Sequence, residues 1–371
     1  MTSAPRQSPA SASANLDLGA SITTTSTIEP PAAGGTVDKP WTLRHASLSV
    51  LGRRWAIFLL LFVQIVGFTV AQPAFLTVAN LLSVLQAVSV VAILGTGVTV
   101  TMAVGGFDLS IGAIAASSVM AASYAMVVWD LGAAETVLLV LCFGIAVGLV
   151  NGLLIVRLRI PDLLATLAIN FLLTGLQLIP TAGRSIATGL ILPDGSSATG
   201  SFAPAFLAIG RAHVFGLLPL PVLLMLIAVA LLYLLTEHTR FGRLFFAVGG
   251  NELAARLAGA PTRKLRLGAY VISATLAAIG GLIVAARVGR GDVSSGASLL
   301  LDSVAAALIG YAVLNMRRPN VLGTAVGAVF VGILLNGLTM LNAPYYAQDF
   351  VKGAVLVGAL ALTYGLGRRP A

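Results

Sequence analysis

The chain has 371 residues, of which 58% are hydrophobic and 9% charged, and its formal net charge is +9. A soluble domain carries roughly 25% charged residues, so with a mean hydropathy of +0.98 a water-soluble globular fold is excluded. The basic excess does not mark a nucleic-acid partner either, because such binding needs the charges gathered on one accessible face with aromatics between them.

Residues 1–45 are rich in Ala, Ser, Thr and Pro and contain no apolar core stretch. They are expected to form a disordered cytoplasmic tail and not a signal peptide. From residue 46 onward the sequence reads as one membrane domain, because apolar runs recur that are long enough to cross a hydrocarbon core of about 30 Å as helices. These runs are apolar on every side, whereas the strands of a lipid-facing barrel would alternate. The predicted fold is an all-α membrane protein with spans at 54–72, 81–104, 109–129, 133–156, 162–180, 216–236, 266–287, 299–315, 321–341 and 348–366. Placing the N-terminus inside leaves Arg184, Arg211, Arg287, Arg290 and Lys352 as the basic residues outside or within a span, out of 22. The positive-inside rule therefore selects cytoplasmic N- and C-termini. Cys142 lies in the fourth run with no partner cysteine, which excludes an intrachain disulfide and suits a small core residue. His45, His213 and His238 are scattered without metal-ligand spacing.

The segment Gly105–Ala113 reads GGFDLSIGA, and Gly289–Ala297 reads GRGDVSSGA, so both fit G-x-x-D-x-S-x-G-A. At nearly the same offset, Asn151-Gly152 recurs as Asn336-Gly337. Two matches at offsets one residue apart predict that the second to fifth spans and the seventh to tenth are copies. An odd number of spans separates them, so the copies are expected to be inverted, an arrangement that transporters use to border a solute path with glycine-interrupted helices. Asp108 with Ser110, and Asp292 with Ser294, have two compatible readings: they cap the helices that follow, or they line the path or its gate. Gln86, Asn151, Asn170, Asp302 and Asn336 lie within spans, where polar groups face the bundle interior and either bond helix to helix or line the pore. Gly144, Gly148 and Gly152, like Gly323 and Gly327, recur every four residues and suit close helix packing.

The lysines Lys39, Lys264 and Lys352 follow Asp38, Arg263 and Val351, so no glycine-lysine phosphate loop can be drawn. The spans hold few carboxylates, which argues against an ion-coupled carrier, although that alternative stays open. Energy must then enter from another polypeptide, and the largest inner loop, 237–265, is where it could enter. There Asn251 can cap a short helix, Glu252 favours its positive end, Leu253 and Leu257 share a face, and Gly259 with Pro261 ends it. Such a helix suits docking into a cleft on a soluble partner; resting on lipid headgroups is its alternative.

HTRFGR at His238–Arg243, GGNELAARLAG at Gly249–Gly259, GGFDLSIGA, LDSVAAALIG at Leu301–Gly310 and VLGTAVGA at Val321–Ala328 occur in one order. In this they resemble the permease subunits of ribose-type monosaccharide ATP-binding-cassette importers, over about 80–361. The resemblance implies a bacterial inner-membrane permease working as a homodimer. It also implies a cytoplasmic ATPase that binds ATP and Mg, an extracytoplasmic solute-binding protein, no cofactor in this chain and no catalytic residues. It casts Asn251, Glu252, Leu253, Ala254, Ala255, Arg256, Leu257 and Gly259 as the coupling helix that receives ATP-driven motion. The solute is expected to be a pentose or hexose; related permeases carry a signalling furanone, nucleosides or branched-chain amino acids. Tyr311–Pro319, YAVLNMRRP, departs from the Gly-rich turn usual in that family.

Overall fold

The computed structural model describes residues 43–192, 195–313 and 318–360. Most of the expected tail, the centre of the 311–319 segment and the C-terminal residues from 361 lie outside them. Two units are distinguished, Met1–Ser47 and Leu48–Ala371, and the second holds the helical bundle.

Its elements are helical. In order they are α1 (Leu43–Ala71), α2 (Val78–Ala103), α3 (Ile111–Val127), α4 (Ala133–Val156), α5 (Asp162–Leu176), α6 (Pro204–Arg211) and α7 (Leu220–Tyr233). There follow α8 (Arg240–Gly250), α9 (Glu252–Leu257), α10 (Thr262–Val288), α11 (Ser295–Val313), α12 (Val321–Met340) and α13 (Tyr345–Leu360). A small hairpin between α6 and α7 pairs His213 with Pro219 and Val214 with Leu218. Among the described residues, six helices are long and apolar enough to cross a membrane: 78–103, 133–156, 162–181, 220–238, 262–288 and 321–340. Shorter apolar helical stretches run over 57–71, 111–127 and 298–311.

The core sits on α2 and α10. Helix α10 packs against α4, α2 and α3, while α2 also packs against α12 and α11. Water supplies no drive between helices in lipid, so close approach and interhelical hydrogen bonds must hold them. The glycine stripe of α4 does the first. Gly144 lies against Ala274 and Ala278, Gly148 against Tyr270 and Val271, and Gly152 against Leu267, all of α10. Gly323 and Gly327 bring α12 onto Gly310 and Ala306 of α11 in the same way. The second tie joins α2 to α12, where the Asn80 and Asn336 amides donate to one another at 3.0 and 2.9 Å. The hydroxyls of Thr99 and Thr324 meet at 2.6 Å further along. Large apolar side chains remain exposed on the outer faces, among them Phe62 of α1, Leu153 of α4 and Phe171 of α5, as lipid contact requires.

Three expectations need correction. Cys142 is exposed on the outside of α4 rather than buried, because in lipid an outward face is as apolar as a core. Helix α10 begins at Thr262, a turn before the span predicted from 266; its first turn is basic, so apolarity did not mark it, yet a helix needs no apolar residues to continue past the membrane. The loop 237–265 holds α8 as well as the short capped helix.

Candidate functional site

Helix α2 ends where Gly105 takes a left-handed backbone, φ +77°, and the chain crosses seven residues, 104–110, before α3 starts. Within that break Asp108 is fully buried. Its Oδ1 accepts from the Ser110 N–H at 2.9 Å and from the Ser110 hydroxyl at 2.6 Å. Its Oδ2 accepts from the Ser273 hydroxyl of α10 at 2.8 Å. Asn151 of α4 donates through Nδ2 to the Ser110 Oγ at 2.8 Å, while its own Oδ1 is buried without a partner. The break is also held by α5, since the Leu109 N–H donates to the Thr166 Oγ at 3.1 Å. Asp108 therefore folds the turn just ahead of α3 rather than reaching the first N–H groups inside it. Three of the sequence-predicted path residues, Asp108, Ser110 and Asn151, come together here around one carboxylate. Burying such a group without hydrogen bonds is costly, which accounts for the ring of donors.

Below the break lies a second cluster, of which sequence reasoning named only Glu252 as a site residue. Arg266 of α10 grips Asp162 at the start of α5 with Nη2 at 2.6 and 2.8 Å from the two carboxylate oxygens. Its Nη1 donates to Glu252 of α9 at 2.9 Å. The Tyr270 hydroxyl donates to the Asp162 Oδ2 at 2.8 Å. Gly106 lies directly on Tyr270 Oη and Asp162 Oδ2, and Gly105 lies on Gly249 at the end of α8. A cavity of about 640 Å³ opens between these parts, lined by Gly106, Phe107, Asp162, Phe246, Gly249 and Arg318 among others. Arg318, within the atypical 311–319 stretch, pairs with Glu237 at 2.8 Å and stacks over the Phe246 ring at 4.9 Å. The spacing of Arg266, Tyr270 and Ser273, one helix face at i, i+4 and i+7, was the available signal.

In α9 the Asn251 Oδ1 accepts from the Ala254 N–H at 2.9 Å, and Gly259 leaves the helix at φ +86°, as the sequence predicts. Ala255 is buried, whereas Leu253 and Leu257 are 55% and 80% exposed. Apolar side chains so open on one face of a six-residue helix suit a partner.

The second copy of the motif repeats the local geometry. Asp292 Oδ1 accepts from the Ser294 N–H at 3.0 Å and its hydroxyl at 2.9 Å, and these bonds hold the Asp292 carboxyl below its ordinary value. Its other oxygen faces Arg290 at 3.3 Å, so this turn is open where the first is sealed. Asp302 of α11 pairs with Lys352 of α13 at 3.1 Å. Asn336 binds Asn80 away from either motif, and Gln86 and Asn170 are half-buried on α2 and α5.

Residues 80–360 match the model of the family described as branched-chain amino acid transport system, permease component. The chain belongs to this family of permeases. Consistent with that, it is 33% identical over 323 residues to the ribose import permease protein RbsC of Escherichia coli, covering 87% of this chain and 94% of that protein. It is 32% identical over 313 residues to RbsC of Haemophilus influenzae, covering 84% and 93%. To the galactose/methyl galactoside import permease protein MglC of Escherichia coli it is 30% identical over 319 residues, covering 82% and 92%. No solved structure matches. The chain is thus a transport component and not an enzyme, a multi-pass protein of the bacterial inner membrane.

Proposed function

We propose that this chain is the membrane subunit of an ATP-binding-cassette importer that moves a monosaccharide, a pentose or hexose, inward across the inner membrane. The observation that carries the reading is the end-to-end similarity to permeases named for ribose and galactose import. ATP and Mg are held by a separate cytoplasmic ATPase, a solute-binding protein delivers the sugar outside, and two copies of this chain form the conduit. The bundle has ten spans with both termini cytoplasmic, and α10–α13 repeat α2–α5 in inverted orientation. Support for the repeat comes from the shared Asp-x-Ser turns and from the way each copy's first helix packs on the other copy's third, α10 on α4 and α2 on α12. The sealed turn at Asp108 and the open one at Asp292 are the two ends of the solute path. Helix α9, with Leu253 and Leu257 turned outward, docks into the ATPase.

Proteoliposomes holding this chain, its ATPase and its binding protein test the reading: labelled ribose or galactose should accumulate when ATP is supplied. The family description favours one second reading, a branched-chain amino acid as solute. Unlabelled leucine, but not ribose, would then compete with uptake. An ion-coupled carrier is less well supported, because Asp302 already has Lys352 as its counter-ion.

A further inference from the structure

Resting on that permease reading, we propose that Arg266, Tyr270 and Ser273 form a polar ladder on α10 that carries displacement of α9 to the Asp108 turn, with Glu252 as its input and Asp162 as its anchor. Hydrogen bonds link its lower part from Glu252 to Tyr270, and the backbone of α10 joins that part to Ser273. Glu252 of α9 accepts from Arg266 at 2.9 Å, Arg266 holds both oxygens of Asp162, and Tyr270 donates to the same carboxylate at 2.8 Å. One turn further along α10, Ser273 donates to Asp108 at 2.8 Å.

Its stiffness is uneven in a way that suits a joint. Two bonds reach both oxygens of Asp162 from a guanidinium that is only 20% exposed, whereas the Glu252 contact is one bond to a side chain 42% exposed. Charge-assisted double contacts of the first kind fix orientation, while the second can form and break as α9 shifts. The break touches the moving parts closely at two glycines. Gly106 is pressed on Tyr270 Oη and Asp162 Oδ2, and Gly105 on Gly249 two residues before the α9 cap. Movement of α9 therefore reaches residues 105–108 by two routes, the backbone contact at Gly249 and the side-chain ladder. These residues position the turn; none is assigned to touch the sugar.

The test uses the complete importer in proteoliposomes, with ribose or galactose as probe, whichever the unaltered importer takes up, and reads sugar moved per ATP hydrolysed. Tyr270→Phe removes one hydroxyl and keeps the ring, and Glu252→Gln removes the charge at the input. Tyr270→Phe should leave ATP hydrolysis within about twofold while sugar moved per ATP falls about three- to thirtyfold, and Glu252→Gln should lower sugar moved per ATP by a similar factor. Arg266→Lys, which cannot span both oxygens and Glu252 at once, should fall likewise. Sugar moved per ATP that stays unchanged in all three variants would overturn the ladder. So would uptake and hydrolysis declining together in proportion to the complex assembled, since that is the mark of a merely structural role. Failure of the unaltered importer to take up either sugar with ATP would instead overturn the reading beneath.

Discussion

Asp108 is a buried carboxylate in the break between α2 and α3, held by two serines and a backbone amide. Ser273→Ala removes the donor to Oδ2 and should destabilise the purified permease by about 1–3 kcal/mol, the range for orphaning a buried acceptor. A lowered melting temperature in detergent is the expected result, and an unchanged one would mean that the oxygen finds another donor. Asp292 makes the same turn in the open, and its folded value lies below the ordinary 3.8 because Ser294 bonds its ionised form. Ionised Asp292 thus supports the turn above the ordinary value, and that support is lost as pH falls through the depressed one. Ser294→Ala should move the titration back up towards 3.8, which carboxyl ¹³C NMR on labelled aspartate would record; no movement would contradict the assignment. The repeated motif made Asp108, Ser110 and Asn151 legible from sequence. Ser273 and Tyr270 were not, because a serine or tyrosine in an apolar helix resembles any other, and Asp162 lies 104 residues from Arg266.

At the scale of elements, the long apolar helices were readable by apolar length and α9 by its cap and terminating glycine, whereas α6 and α8 were not. What apolarity could not reveal was the basic first turn of α10, just ahead of Arg266, or which face of a uniformly apolar helix packs inward. Gly148 decides the second point for α4, since a Cβ there would meet the Val271 Cα at 2.6 Å. Gly148→Leu should therefore prise α4 from α10 and cost about 1–3 kcal/mol or more by overpacking, while Gly175→Ala, with open space around it, should melt like the parent. Leu253 and Leu257 belong to a different surface. Leu253→Asp with Leu257→Asp should leave the melt within about 0.5 kcal/mol, as for exposed positions generally, yet abolish co-purification of the ATPase. A destabilised permease would instead place these side chains against its own bundle.

On the scale of the whole molecule, α2 and α10 form a shared axis: α10 packs on α4, α2 and α3, and α2 also packs on α12 and α11. Composition made the membrane setting plain, and the duplicated motif pointed to the halves, but the asymmetry between a sealed Asp108 and an open Asp292 needed three dimensions. One turn is closed by a serine of α10 and the other faces Arg290; on the proposed function the first is the input and the second the entrance. The most direct measurement is uptake of labelled ribose or galactose into proteoliposomes containing the permease, its ATPase and its binding protein. Accumulation that requires ATP and disappears with the paired Leu253→Asp and Leu257→Asp changes is the predicted result. Accumulation by the permease alone, driven by a proton gradient without the ATPase, would contradict the account.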